Sequence, residues 1–203
     1  MSRKFLISVA LILCFSLTFT KMKPSMRSKE MKSTMERTFT LESKGIKNGI
    51  IDEQFGGKGK DKVKGVGSKS LPLEWKNSPE GTQSYAIVML DHDAISVVGM
   101  SWIHWTVADI PKDKVKLEAN ESRENETLIQ GVNSWISPLA KFSKEEASFY
   151  GGPMPPKDHT YTIIIYALDT KLNLKKGYYL NELYKKMEGH ILATAKLEGI
   201  YKK

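Results

Sequence analysis

One cysteine, Cys14, stands in 203 residues, and it falls inside an apolar N-terminal stretch. Beyond that stretch the chain can form no disulfide and no thiolate metal site, and it carries no thiol nucleophile. Its stability must come from a hydrophobic core. No Gly-x-Ser-x-Gly segment occurs, so the sequence lacks the nucleophile elbow of an α/β-hydrolase. No internal repeat occurs, which excludes a solenoid. The main apolar run, Phe5 to Phe19, falls short of the ~20 residues of a comfortable membrane span. The body also lacks a Lys/Arg stripe interleaved with aromatics. The formal net charge is +8, but residues 1–37 hold eight Lys/Arg against two Glu. The remaining 23 Lys/Arg face 21 Asp/Glu, so the body is almost balanced and nucleic-acid binding is excluded.

What is present begins with a leader. Arg3 and Lys4 precede the apolar run, so residues 1–20 read as a secretion signal or an uncleaved anchor. Cleavage would fall near Thr18 or Thr20. No small residue directly precedes Cys14, which argues against a lipid-attachment site. Residues 21–37 are polar and basic. They read as a linker, either a solvated tether or a segment that touches anionic lipid heads. The expected location is secreted or bound to the cell envelope, with the folded domain at 38–203.

Within that domain, Phe39 to Leu41 reads as a first strand and Gly45 to Gly67 as loop with short strands. Ser84 to Leu90 is rich in β-formers and reads as a buried strand. Trp102 to Val107 alternates, with Trp102, His104 and Thr106 expected on one face and Ile103, Trp105 and Val107 on the other. Lys112 to Thr127 reads as a charged surface excursion. His159, Tyr161, Ile163 and Ile165 share a face of the next strand. Leu180, Leu183, Tyr184 and Met187 form a helical stripe closed by Gly189, and Ile191 to Tyr201 completes the chain. Strands first and a helix late make the fold mostly β with peripheral helices.

Three of the four histidines and the prolines of Pro153-Met154-Pro155-Pro156 fall in two short stretches. The first runs Asp91-His92-Asp93-Ala94-Ile95 and on to Trp102-Ile103-His104-Trp105. The second runs Tyr150-Gly151-Gly152-Pro153-Met154-Pro155-Pro156 and on to His159-Thr160-Tyr161. Together they resemble the signatures of the phosphatidylethanolamine-binding protein family, in its bacterial Raf-kinase-inhibitor-like branch. Those signatures read Asp-Pro-Asp-Ala-Pro then Trp-x-His-Trp, and Tyr-x-Gly-Pro-x-Pro-Pro then His-x-Tyr. Ser70-Leu71-Pro72-Leu73-Glu74-Trp75, Gly131-Val132-Asn133-Ser134-Trp135 and Gly189-His190-Ile191-Leu192-Ala193 add to the match, which spans about Thr38 to Lys203.

The resemblance implies a large central β-sheet packed on a smaller sheet. It also implies a surface pocket for small anions, a phosphate or a phosphorylated head group. Carried over by position, the pocket residues are Asp91, Trp102, His104, Pro155, Pro156, His159 and Tyr161. Two departures stand out. His92 and Ile95 replace both prolines of the first signature, which predicts a looser or differently shaped loop because proline fixes φ. Only Lys157-Asp158 separates Pro156 from His159, which predicts an altered rim.

The chemistry fits an anion. A carboxylate beside a histidine favours the imidazolium, and two imidazolium groups can donate charge-assisted hydrogen bonds to phosphate oxygens. Tyr161 would add a neutral donor, Trp102 an apolar wall or an indole donor, and the prolines a rim that is already ordered. His92 is expected to be exposed or to join the pocket rim, Asp93 to tie its loop to backbone N–H groups, and His190 to be structural. Trp75, Trp105 and Trp135 are expected to pack rather than to touch ligand. Two other classes compete. Asp91, His104 and His159 supply the residue types of a metal facial triad. An exported inhibitor of a peptidase would use the loop at 136–149 or the linker against a protein target. The expectation is a non-catalytic binding protein with no cofactor and no metal. Its partner would be a small anion or a phospholipid head group, with a membrane surface reached through the basic leader.

Overall fold

The computed structural model describes residues 38–203; the expected leader, the linker and Cys14 lie outside the described residues. Its centre is β7 (Ser84–Asp91), whose eight residues are all buried. A strand covered on both faces reads as a near-continuous apolar run, and Tyr85-Ala86-Ile87-Val88-Met89-Leu90 is one. On either side lie β8 (Trp102–Pro111) and β11 (His159–Leu168), both antiparallel to it. The seven-stranded sheet is completed by β10 (Ile129–Gln130) beyond β8, and by β12 (Ile191–Tyr201), β3 (Ile50–Ile51) and β2 (Ile46–Lys47) beyond β11.

A smaller sheet of β1 (Thr40–Glu42), β6 (Leu73–Lys76) and β9 (Lys116–Leu117) covers one face. Leu41, Leu73, Trp75 and Leu117 from it share a core with Tyr85, Ile87, Met89, Ile163 and Ile165. The opposite face carries Ala86, Val88 and Leu90 under Leu172, Tyr178 and the helix α3 (Leu180–Met187). That helix buries Leu183 and Met187, and Gly189 takes the left-handed φ of +79° that ends it. A two-stranded ribbon, β4 (Lys62–Val63) and β5 (Val66–Gly67), falls between β3 and β6 in the chain. The fold is mostly β, a large sheet packed on a smaller one, as the sequence led us to expect.

Two expectations are corrected. Strict alternation along β8 fails at His104. Leu90 pairs with Ile103 and Met89 with Trp105, so His104 is an extra residue, a β-bulge. Trp102 and Trp105 therefore share the face of Asp91 and Met89, whereas Thr106 pairs with Val88 on the other face. The stretch 112–127 is not all surface. It holds β9 and a one-turn helix, α2 (Glu121–Glu124), with Leu117, Glu121 and Ser122 buried. The Ser122 hydroxyl donates to Gln130 Oε1 (2.6 Å), which also accepts from Trp105 Nε1 (2.7 Å), and it accepts from the Tyr150 N–H (2.8 Å). This network pins the start of the Tyr150–Pro156 loop to the back of β8.

Candidate functional site

Trp102, Asp91 and Tyr161 form one rung across β8, β7 and β11. At this rung the central sheet reaches its end, and a cavity of about 260 Å³ opens there. Asp91, Trp102, His104, Pro155, Pro156, His159 and Tyr161, all named from the sequence, line it. Ala94, Val97, Val98, Trp135, Leu139 and Met154 supply the rest of the wall. The interior is therefore apolar around a few polar atoms, as small-molecule sites usually are.

Asp91 is almost fully buried and its two oxygens have separate tasks. Oδ1 accepts the Ala94 N–H at 3.1 Å, which folds the following turn. Oδ2 lies 2.7 Å from His159 Nδ1, with both side chains buried. That contact makes Nδ1 the protonated nitrogen and leaves Nε2, which is buried and has no partner among the described residues. Burial, and then the Asp91 carboxylate, hold the Tyr161 phenol far above its ordinary pKa, so it stays a neutral hydroxyl.

His104 differs from the expectation. Its Nδ1 donates to the Gly151 carbonyl at 2.5 Å, while the Gly151 N–H donates to the His104 carbonyl at 2.9 Å. The bulge releases that carbonyl from the strand ladder, and the loop captures it. Burial pushes the His104 pKa down to about 4, against the opposing pulls of the Gly151 carbonyl and Asp91. At neutral pH the ring is uncharged, Nδ1 carries the proton, and Nε2 presents a lone pair. Only one of the two imidazoles has a carboxylate partner. The notion of two cationic donors at rest is therefore corrected.

The loop after β7 is tied rather than loose. A short helix, α1 (Ile95–Val98), follows Ala94. The Ile95 N–H, which proline would lack, donates to the His92 carbonyl at 3.1 Å. Asp93 Oδ2 accepts the Thr160 N–H at 2.8 Å, the tethering role expected of it. His92 is exposed against Ser101 Oγ and does not line the cavity. His190 is exposed beside Asp169, also away from it. On the shortened rim, Asp158 accepts from Lys202 Nζ (2.7 Å) and the Lys203 N–H (3.0 Å), which ties the rim to the end of β12.

Trp75 and Trp105 lie in the core, as expected, but Trp135 lines the cavity. It sits on a short 3₁₀ turn, Ser134–Ile136, capped by Asn133 Oδ1, which accepts the Trp135 N–H at 2.9 Å. Its ring meets Trp102 edge-on at 5.3 Å. A Cβ on Gly151 would lie 2.3 Å from Trp135 Cδ1, so glycine is what admits the indole there. The Asn133-Ser134-Trp135 segment carried this signal, but its link to Gly151 lies in tertiary contacts. The indole nitrogens of Trp102 and Trp135 are both buried without partners among the described residues. Among the described residues no cluster of three His, Cys, Asp or Glu is arranged to hold a metal ion.

Comparison with known proteins bears on these findings. The family model for phosphatidylethanolamine-binding proteins matches residues 42–202. YxkA of Bacillus subtilis, itself uncharacterized, is 48% identical over 132 residues, covering 64% of this chain and 79% of YxkA. Two crystal structures superpose on this chain at 27% identity each. The homologue CT736 of Chlamydia trachomatis has a TM-score of 0.67, covering 82% of this chain and 99% of its own. YbcL of Escherichia coli has a TM-score of 0.65, covering 81% and 98%.

Proposed function

The chain belongs to the phosphatidylethanolamine-binding protein family, and on that premise we propose that the Asp91–His159 cavity binds a phosphate-type anion without transforming it. The anion is either free or the head group of a phospholipid. One observation carries this reading. Trp102 Nε1, Trp135 Nε1 and His159 Nε2 belong to residues lining one cavity, and all three are buried and unpartnered among the described residues. Buried polar atoms are normally satisfied, and an oxyanion would satisfy several at once. Two indole N–H groups donate without titrating, and His159 donates from Nε2 when protonated. Neutral His104 offers only an acceptor there, so a phosphate that reaches it must bring a proton with it.

The lining holds no serine, threonine or cysteine, which supports binding over nucleophilic turnover. The exposed apolar residues Val97, Leu139 and Met154 suit the lipid side of a head group more than a free ion. We further propose export to the cell envelope, on the leader sequence alone.

The test is an NMR titration of the full chain with phosphate and with phosphoethanolamine, following imidazole and indole N–H signals. Saturable shifts at His159, Trp102 and Trp135, lost in His159→Ala and weakened in Trp135→Phe, are expected. Silence at all three up to tens of millimolar would refute the reading. Tighter binding of phosphoethanolamine than of phosphate would favour the head group.

A further inference from the structure

A second and larger cavity, about 590 Å³, shares no lining residue with the first. Three chain segments far apart in sequence bring cations to it: Arg123 from α2, Lys144 from the loop before Phe149, and Lys176 ahead of α3. The Arg123 guanidinium lies on the Phe149 ring, its Cζ 3.9 Å from the centroid. Its Nε is buried and has no hydrogen-bond partner among the described residues. Lys144 Nζ stands 4.9 Å from the Tyr179 ring centroid, above Gly177, where a Cβ would come within 3.1 Å of Lys144 Cε. Lys176 Nζ donates to the Glu126 main-chain carbonyl.

Among the described residues none of these three cations is ion-paired. Two carboxylates, Glu126 and Glu145, also line the cavity, yet neither lies within ion-pair distance of them. Arginine stays charged at any physiological pH. Holding its guanidinium against an aromatic face, with one N–H buried and unpaired, is costly unless an acceptor arrives. Contact with the Phe149 ring restrains the guanidinium, whose edge carries paired N–H donors. That edge matches the paired oxygens of a carboxylate or a phosphate. The cavity volume lies in the range of small-molecule sites.

We propose that this cleft is a second binding site, for a small organic oxyanion gripped by Arg123 and flanked by Lys144 and Lys176. It does not depend on the first site. Phosphate monoesters and carboxylates share the required chemistry, so two probes separate them.

The experiment titrates the full chain with inorganic phosphate and, separately, with succinate, at constant ionic strength held by chloride. The readout is the Arg123 Nε–H resonance. A saturable shift is expected with at least one probe. It should persist in His159→Ala and weaken about tenfold in a Lys144→Gln/Lys176→Gln double variant, the scale of losing charge-assisted hydrogen bonds. Arg123→Gln should abolish binding seen by calorimetry at this site, with circular dichroism checking that the variant is folded. No shift with either probe up to tens of millimolar would overturn the proposal. So would unchanged affinity in the double lysine variant, or loss of the shift in His159→Ala, which would assign it to the first cavity.

Discussion

His104 makes the stability of this domain depend on pH in a window where most histidines would not. In the fold, burial holds its pKa at about 4, against 6.5 for the free side chain. Between those values the unfolded chain binds a proton that the folded chain refuses. Stability from this group is therefore fully present above pH 6.5 and falls as pH drops toward 4. At ~1.36 kcal/mol per pKa unit, the whole contribution is about 3 kcal/mol. For a domain whose total stability is typically ~5–15 kcal/mol, that is a visible fraction.

The perturbation is His104→Asn. Asparagine Nδ2 can replace imidazole Nδ1 as donor to the Gly151 carbonyl, and it does not titrate. The variant loses the edge-on contact between the His104 and Tyr161 rings, 5.0 Å apart, and so is less stable at pH 7.5. Its stability should nevertheless change less between pH 7.5 and 4.5, the two curves converging by about 3 kcal/mol. Urea unfolding at half-unit pH steps measures this, provided the m-value stays constant. Carboxylates titrate in both proteins and cancel in the difference. Parallel curves would refute the reasoning, as would a His104 imidazole that titrates near 6.5 by NMR.

Three further outcomes follow from the same geometry. Phosphate binding should draw a proton onto an imidazole of the cavity. Calorimetry in two buffers of different ionisation enthalpy should show proton uptake, and equal heats would count against it. Trp135→Phe removes one unpartnered indole N–H but keeps a ring against Trp102. Phosphate affinity should drop about tenfold while the thermal midpoint barely moves, since a hydrogen bond to a charged group is worth ~1.5–3 kcal/mol. Gly151→Ala places a methyl group 2.3 Å from Trp135 and should cost about 1–3 kcal/mol or more in chemical denaturation. Wild-type stability in that variant would mean that the indole can swing away freely.

Much of the architecture was legible because strand patterns carry burial directly. The apolar run at 85–90 became the central strand, and the alternation from His159 to Ile165 put His159 beside Tyr161 at the cavity. Motif context also brought all seven expected residues to one lining. The bulge at His104 was not legible, because an inserted residue leaves no local mark when the residues around it are all β-formers. Ser122 reads as surface in a charged stretch, yet it is buried because Gln130, Trp105 and Tyr150 from other segments converge on it.

By itself, then, the sequence determined that this is a mostly β domain without disulfides and which residues gather at the Asp91 end of the sheet. The first two follow from composition and side-chain period, and the gathering at Asp91 from motifs that resemble the family's signatures. Only the tertiary structure decided which imidazole meets Asp91, which one burial keeps neutral, and that Trp135 rather than His92 completes the wall. It alone brought Arg123, Lys144 and Lys176 to one cleft. Charge state and hydrogen-bond satisfaction depend on what surrounds an atom in space, and those surroundings come from segments that the chain order keeps far apart.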